Sequence, residues 1–372
     1  MKKLSSYLIA VCLCLFITTA HTQSLDKVLP VRAFCIAAPK PQSIERFVKF
    51  INEELPANKV NTLILRVDYH YQFESRPELR EDSNSLSKQD VKQLVNACKQ
   101  NNIVLIPQIN LLGHQTWASI TYKLLKVYPQ FDETPHVQMP AVYAWPNADS
   151  LYCKSYCPLH PDLHAVVFDL VDEICDAFES KAFHAGMDEV FYIGDDRCPR
   201  CSGKNKADLF AGEVNKIQAH LALKKRNLWI WGDRLIDGRA TGVGFWEGSY
   251  NNTHPAVDLI SKDVVICDWH YNKSVTIPVD FAGKGLSVIT CTWKKPAVAA
   301  AQVQDMVKFR QAAKPGEANK YLGVMQTIWS GADPFLDEYY ALKNGVSEKE
   351  ETQANCFKAL SAEIKKVGED RN

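Results

Sequence analysis

The chain has 372 residues, and its 43 lysines and arginines balance 43 aspartates and glutamates. That zero net charge leaves no electrostatic footprint for nucleic acid or an anionic membrane as a partner. The length fits two domains, or one α/β barrel of about 250 residues or more with insertions.

Residues 1–23 read as a secretory signal. Lys2 and Lys3 form a charged start, residues 7–17 an apolar core, and Thr18-Thr19-Ala20 offers small residues for cleavage. The core is too short to span a bilayer comfortably. Val11 and Leu13 stand before Cys12 and Cys14, where a lipoprotein signal wants a small residue. No other long apolar run follows. The expectation is an exported protein, periplasmic or secreted, with no membrane span. Export permits disulfides.

Downstream, short β-rich apolar runs recur at residues 31–37, 62–67, 103–109, 183–187, 228–231, 264–267, 286–292 and 322–328. Helical periodicity falls between most of them, at 43–55, 87–101, 163–178, 209–226 and 302–313, and again in the tail at 335–343 and 352–367. Several of the β runs are apolar nearly throughout, as expected of strands buried on both faces. Eight β-then-α units predict an α/β fold: a (β/α)8 TIM barrel over residues 30–372, one catalytic domain with a C-terminal helix. Helix signals are thin in the sixth and seventh units, and Trp246, within residues 242–248, is a candidate start for an extra short strand. The longest irregular segment is residues 128–161, rich in Pro, Tyr and Trp, where such a fold builds a substrate cleft.

Ten of the twelve cysteines lie beyond the signal segment. Cys175, Cys267 and Cys291 sit in apolar runs and read as buried small hydrophobes. Cys153, Cys157, Cys198 and Cys201 lie in polar, turn-like sequence on either side of the fourth β run. Four thiolates from two hairpins fit a closed structural zinc site, and two disulfides fit equally well. No cofactor is expected for catalysis.

The fourth β run ends Phe183-His184-Ala185-Gly186-Met187-Asp188-Glu189-Val190. Adjacent side chains on a regular strand point to opposite faces. Asp188 and Glu189 therefore serve one site only if the strand curls, which Gly186 permits. An acid pair so placed is where two pKa values are pushed apart. Other strand ends carry Asp68, His70, His114, Trp231, Asp233, Trp269, Tyr271, Trp293 and Trp329, with Trp246 and Glu247 following the fifth run. Active sites of such barrels gather at these ends. Several tryptophans at one rim predict an aromatic-walled pocket for sugar rings, so the expected partner is a carbohydrate.

At these motifs the chain resembles glycoside hydrolase family 20, the β-N-acetylhexosaminidases. The family signature His-x-Gly-Gly-Asp-Glu is similar to His184–Glu189, departing at Met187. The segment Ile106-Pro107-Gln108-Ile109-Asn110-Leu111-Leu112-Gly113-His114 resembles a family segment in which two acids are here amides and a proline is Leu112. Trp231-Gly232-Asp233 matches a family Trp-x-Asp. The resemblance covers residues 30–345, without the small α/β domain that often precedes that barrel. Where the family has an arginine that grips sugar hydroxyls, the nearest equivalent is Lys40, a point charge. The family's final Trp-x-Glu is here Trp329-Ser330-Gly331. Met187 places bulk beside the acid pair.

The resemblance implies substrate-assisted retention, with the 2-acetamido oxygen as nucleophile. Glu189 is then the general acid and base, and Asp188 orients the acetamide. Tyr271 donates to the acetamido oxygen. Trp231, Trp246 and Trp329 wall the sugar, with Trp293 and Lys40 as further substrate contacts. His114 and His184 orient carboxylates, the alternative for each being a satisfied core histidine, above all for His184 inside its apolar strand. Asp68 contacts sugar or histidine, the alternative being a salt bridge to Arg66. Two other classes compete: a barrel that binds amino-sugar glycans without turnover, and a metal-dependent hydrolase using His70, His114 and Asp188. No His-x-His or His-Glu-x-x-His spacing supports the latter.

Overall fold

The computed structural model describes residues 24–346 and 349–369, so the signal-like segment lies outside the described residues. Eight strands close into a parallel barrel. They are β1 (Val31–Ala37), β2 (Thr62–Arg66), β3 (Val104–Leu111), β4 (Ala182–Gly186), β5 (Asn227–Trp231), β6 (Val265–Trp269), β7 (Ser287–Thr292) and β8 (Tyr321–Thr327), and β8 pairs back onto β1. All eight coincide with the runs read from the sequence, because each is buried on both faces. On β2, Leu63 and Leu65 point outward into the main core, while Ile64 joins Ala33, Cys35, Trp229, Cys267, Cys291 and Met325 inside the barrel. Cysteine thus serves as a small interior filler, as expected, and Cys175 is buried in the outer core.

Helices α1 (Ile44–Ala57), α2 (Lys88–Gln100), α3 (Leu163–Ala177), α4 (Lys206–Leu223), α5 (Ile277–Gly283), α6 (Pro296–Ala312), α7 (Ala332–Lys343) and α8 (Gln353–Glu369) cover the barrel. Ile44, Phe47, Ile51 and Leu55 give α1 its buried stripe at helical spacing. Ser87 and Asp90 form a reciprocal capping box that starts α2, a device worth about 1 kcal/mol. Helix α6 is longer than the sequence pattern shows. It opens on Pro296 and an alanine run, and alanine favours helix without marking a face. Helix α5 has only seven residues, and two four-residue helices follow β5. On this thinly covered flank a cavity of about 820 Å³ opens, lined by Ile236, Ile277, Phe281 and Phe309 and away from the acid pair. Residues 242–248 form no strand, and Trp246 sits in a turn.

The connection from β3 to α3 carries a two-stranded hairpin (Thr116–Trp117 with Ile120–Thr121) and a short helix (Lys123–Val127). It folds over the mouth beside the β4 end.

Candidate active site

The strand end curls as the sequence requires. Gly186, Met187 and Glu189 have φ of 66°, 66° and 50°, left-handed values that turn the backbone out of the sheet. The β3 connection closes directly on this curl. A Cβ at Gly113 would lie 2.4 Å from the Asp188 carbonyl oxygen, and one at Gly186 would lie 2.3 Å from Asn110 Oδ1. Only glycine fits either position. Flanking Gly113, Leu112 and His114 are also left-handed, which swings the His114 ring onto the pair.

His114 Nε2 sits 3.4 Å from Asp188 Oδ2 and 3.0 Å from Glu189 Oε2. One imidazole thus bridges two carboxylates that adjoin in sequence. Their charges diverge. Burial opposes ionisation of Asp188, but the His114 charge and hydrogen bond outweigh it and hold the carboxyl below its usual range. Burial pushes Glu189 up; His114 opposes that shift, while Asp188 and Asp233 reinforce it. Burial lowers the basicity of His114, yet Cys153 and the acid pair raise it well above the ordinary histidine value. The site therefore holds one ionised acid and one inclined to keep its proton. Asp188 Oδ1 is buried with no hydrogen-bond partner, an acceptor open to a donor from a ligand.

A second network, missed from the sequence, fixes the backbone of the pair. The Glu189 N–H donates to Asp233 Oδ2 at 2.9 Å, and the Cys153 thiol donates to the Glu189 carbonyl at 3.3 Å. Asp233 also accepts from Arg234 Nε at 2.7 Å and from Trp269 Nε1 at 3.3 Å. Arg234, 1 % exposed, donates to the carbonyls of Trp246 and Gly248 at 3.1 and 2.8 Å. A buried ion pair thus ties the Asp188–Glu189 turn to the loop carrying Trp246. The Trp231-Gly232-Asp233 motif was the available signal, although Arg234 beside it gave none.

Aromatic side chains form two groups. Along the rim, Trp329 lies 5.8 Å from Trp231 and donates from Nε1 to the Tyr271 hydroxyl at 3.2 Å, while Tyr271 lies 5.3 Å from Trp269 and 5.5 Å from Trp293. Above Glu189, Tyr152 packs 4.3 Å from Trp246, 4.7 Å from Trp117 and 6.2 Å from Trp145, and Phe191 and Phe245 extend the surface. Tyr152, Trp117 and Trp145 belong to the long connection and were not foreseen individually.

The remaining expectations resolve as follows. Trp231 is 1 % exposed and forms the floor beneath Trp329 rather than an open wall. Trp293 is tied by Nε1 to Gln353 at 3.2 Å. Asp68 Oδ1 accepts the Asn110 N–H at 2.8 Å, a backbone clamp rather than a salt bridge to Arg66. His184 is fully buried. Its Nδ1 accepts the Gly186 N–H at 3.0 Å, so it steadies the turn from inside the core and touches neither carboxylate. Met187 is fully buried in the outer core, so its bulk points away from the acid pair. His70 is exposed and outside the His114, Asp188 and Glu189 group. Lys40 is exposed past β1, and its side chain makes no hydrogen bond or ion pair among the described residues. Arg66 is the cation at the mouth instead. Its guanidinium stacks 4.5 Å over Trp329, its Nη2 donates to the Ile328 carbonyl at 2.8 Å, and its buried Nε has no partner. Cys153 lies under Glu189, apart from the other three turn cysteines. Cys157, Cys198 and Cys201 gather instead with Glu133.

A carboxylate pair with opposed pKa shifts, set among aromatic walls at the C-terminal mouth of a (β/α)8 barrel, is a site of the glycoside-hydrolase class. Residues 42–333 match the model of the glycosyl hydrolase family 20 catalytic domain, and the chain belongs to that family. Among curated proteins, a beta-hexosaminidase from Akkermansia muciniphila is 27% identical over 136 residues, covering 37% of this chain and 26% of that protein. Among solved structures, a Flavobacterium johnsoniae chitobiase superposes with a TM-score of 0.63 at 16% identity, over 91% of this chain and 52% of that one. A Bacteroides fragilis beta-N-acetylhexosaminidase does so at 0.58 and 17%, over 90% and 66%. At these identities the structural likeness is one of fold. The chain spans about a quarter of the curated relative and about half of the chitobiase.

Proposed function

We propose that this barrel releases a terminal β-linked N-acetylhexosamine from glycans, with retention, using the substrate's own acetamide as nucleophile. The observation that carries the reading is the divided acid pair: Asp188 ionised with a free buried oxygen, Glu189 raised, and both on His114. The acetamide N–H donates to Asp188 Oδ1. That contact turns the acetamide oxygen toward C1 and places a fixed negative charge where the oxazolinium cation develops. Glu189 gives its proton to the departing glycosidic oxygen, so no alkoxide has to leave. The resulting carboxylate then takes a proton from the water that attacks C1. Tyr271, 3.2 Å from Trp329 Nε1, supplies a hydroxyl for the acetamide oxygen, and Trp329 lies along a sugar face. Arg66 takes over the hydroxyl grip expected of Lys40, offering its unpaired Nε beside Trp329.

The absence of an acid two residues after Trp329, where Gly331 stands, favours a hydroxyl specificity unlike that of a standard hexosaminidase, and in the extreme a barrel that binds without turnover. Release of an aryl group from β-GlcNAc, β-GalNAc and β-glucose substrates by the purified protein tests both readings. Turnover restricted to the acetamido sugars supports hydrolysis. Binding of those sugars with no turnover would replace it. The signal-like segment supports export, and the N-terminus of the mature protein recovered from its host tests that part.

A further inference from the structure

Cys157 and Glu133 lie in the connection that leads from β3 to α3. Cys198 and Cys201 lie in the one that leads from the acid pair to α4. The four side chains meet with their ligand atoms within 4.8 Å of one another, and all four are buried. Cys157 Sγ is 3.5 Å from Cys201 Sγ and 3.6 Å from Cys198 Sγ. A tetrahedral zinc with Zn–S bonds near ~2.3 Å has sulfurs about 3.8 Å apart, so the three thiols already stand close to such spacing. Glu133 is 0 % exposed. Its Oε1 accepts the Asp195 N–H at 3.0 Å, while its Oε2 is buried with no partner. That free oxygen is placed to serve as a fourth ligand.

We infer that Cys157, Cys198, Cys201 and Glu133 form a structural zinc site that staples the two connections flanking the acid pair. The ligand set is three thiolates and one carboxylate, closed to solvent, as structural rather than catalytic zinc requires. Binding displaces the thiol protons to solvent. A disulfide fits the cluster less well. It would close one sulfur pair to about 2.05 Å and leave the third thiol and Glu133 Oε2 buried without partners, a costly combination. Cys153 stays outside, four residues from Cys157, with its thiol on the Glu189 carbonyl. The zinc therefore anchors the chain from which Cys153 and Tyr152 reach the acid pair.

The full chain, purified without chelator, is expected to hold about one zinc ion. Its zinc-edge absorption should show three sulfurs near ~2.3 Å and one lighter ligand. Stripping the metal should lower the melting temperature, and restoring zinc should recover it. Glu133→Gln should keep the fold while weakening zinc by at least about tenfold, since even partners one shell further out typically contribute 10- to 100-fold. Asp188→Asn should bind zinc undiminished, which separates this inference from the proposed hydrolysis. A protein that retains no zinc after loading and dialysis overturns it. So does a non-reducing digest in which Cys157 is disulfide-linked to Cys198 or Cys201.

Discussion

Asp188 and Glu189 adjoin in sequence yet lie against two differently built regions. The Asp188 side is made of strand ends: Trp231 on β5, Trp269 on β6, and Tyr271, Trp293 and Trp329 just past β6, β7 and β8. The Glu189 side is made of connections: Tyr152, Trp145 and Trp117 from the β3 connection, Phe191 from that after β4, Phe245 and Trp246 from that after β5. A rigid barrel rim is the part suited to holding the sugar whose chemistry is fixed. Loops are the part free to fit different leaving groups. The left-handed turn at Gly186–Glu189 lets one strand end address both.

If that division is right, the largest effect comes from the acid. Glu189→Gln should cost about 10²–10⁴-fold on unactivated glycosides. It should cost far less on aryl glycosides whose leaving group needs no proton, and equal losses on both would remove Glu189 from the acid role. Asp188→Asn should lower kcat by about 10²–10³-fold while KM changes little, because its charge matters most once the cation develops. A rise in KM at constant kcat would instead make Asp188 a plain binding group.

His114 touches both sides, so its removal should move both at once. The acid limb of the kcat/KM profile reports Asp188, held below 3.8, and the alkaline limb reports Glu189, raised above 4.5. His114 stabilises the charged form of each carboxylate. His114→Gln should therefore shift both limbs to higher pH, and a profile unmoved on either limb would show that the imidazole is uncharged there. A smaller effect is expected on the loop side. Tyr152→Ala should weaken substrates with a sugar in the leaving group by on the order of tenfold, given ~0.5–1.5 kcal/mol for an aromatic contact beyond its buried area. Small aryl substrates should lose less.

The same division explains what the sequence disclosed. Strands buried on both faces leave continuous apolar runs, so the barrel and its rim residues were legible. The curl was legible because two adjacent acids need it and Gly186 allows it. Residues whose roles depend on chain crossings were not. Glu133 is one acid in a polar loop until folding sets it beside Cys157, 24 positions away, and Cys198. Cys153 shares the spacing of a knuckle with Cys157, yet a neighbouring turn sends it under Glu189. Lys40 is the nearest cation past β1 in the sequence, yet its side chain has no partner among the described residues, and Arg32 on β1 is committed to the carbonyls of Leu29 and Lys59. The cation in the mouth is Arg66, visible in the sequence but read there only as a partner for Asp68.

The two sides are also joined away from the acid pair, and the joint is testable through stability. His270, just past β6, places Nδ1 2.8 Å from Glu247, which follows Trp246, and Nε2 3.1 Å from Asp268. Burial alone would lower its pKa, but Asp268 and then Glu247 outweigh burial and raise it to about 10. An unfolded histidine titrates near ~6.5. The folded state therefore holds the proton more tightly, and the stabilisation is fully present below pH about 6.5 and fades as pH rises through about 10. Urea unfolding of wild type and His270→Gln should show a stability gap that is widest at about pH 6.5, shrinks as pH rises above it, and is nearly closed by pH 10.5. Taking the difference between the two proteins cancels lysine and tyrosine titrations common to both. A gap independent of pH would mean that His270 is neutral in the folded protein, and that Glu247 holds the Trp246 loop by a neutral hydrogen bond alone.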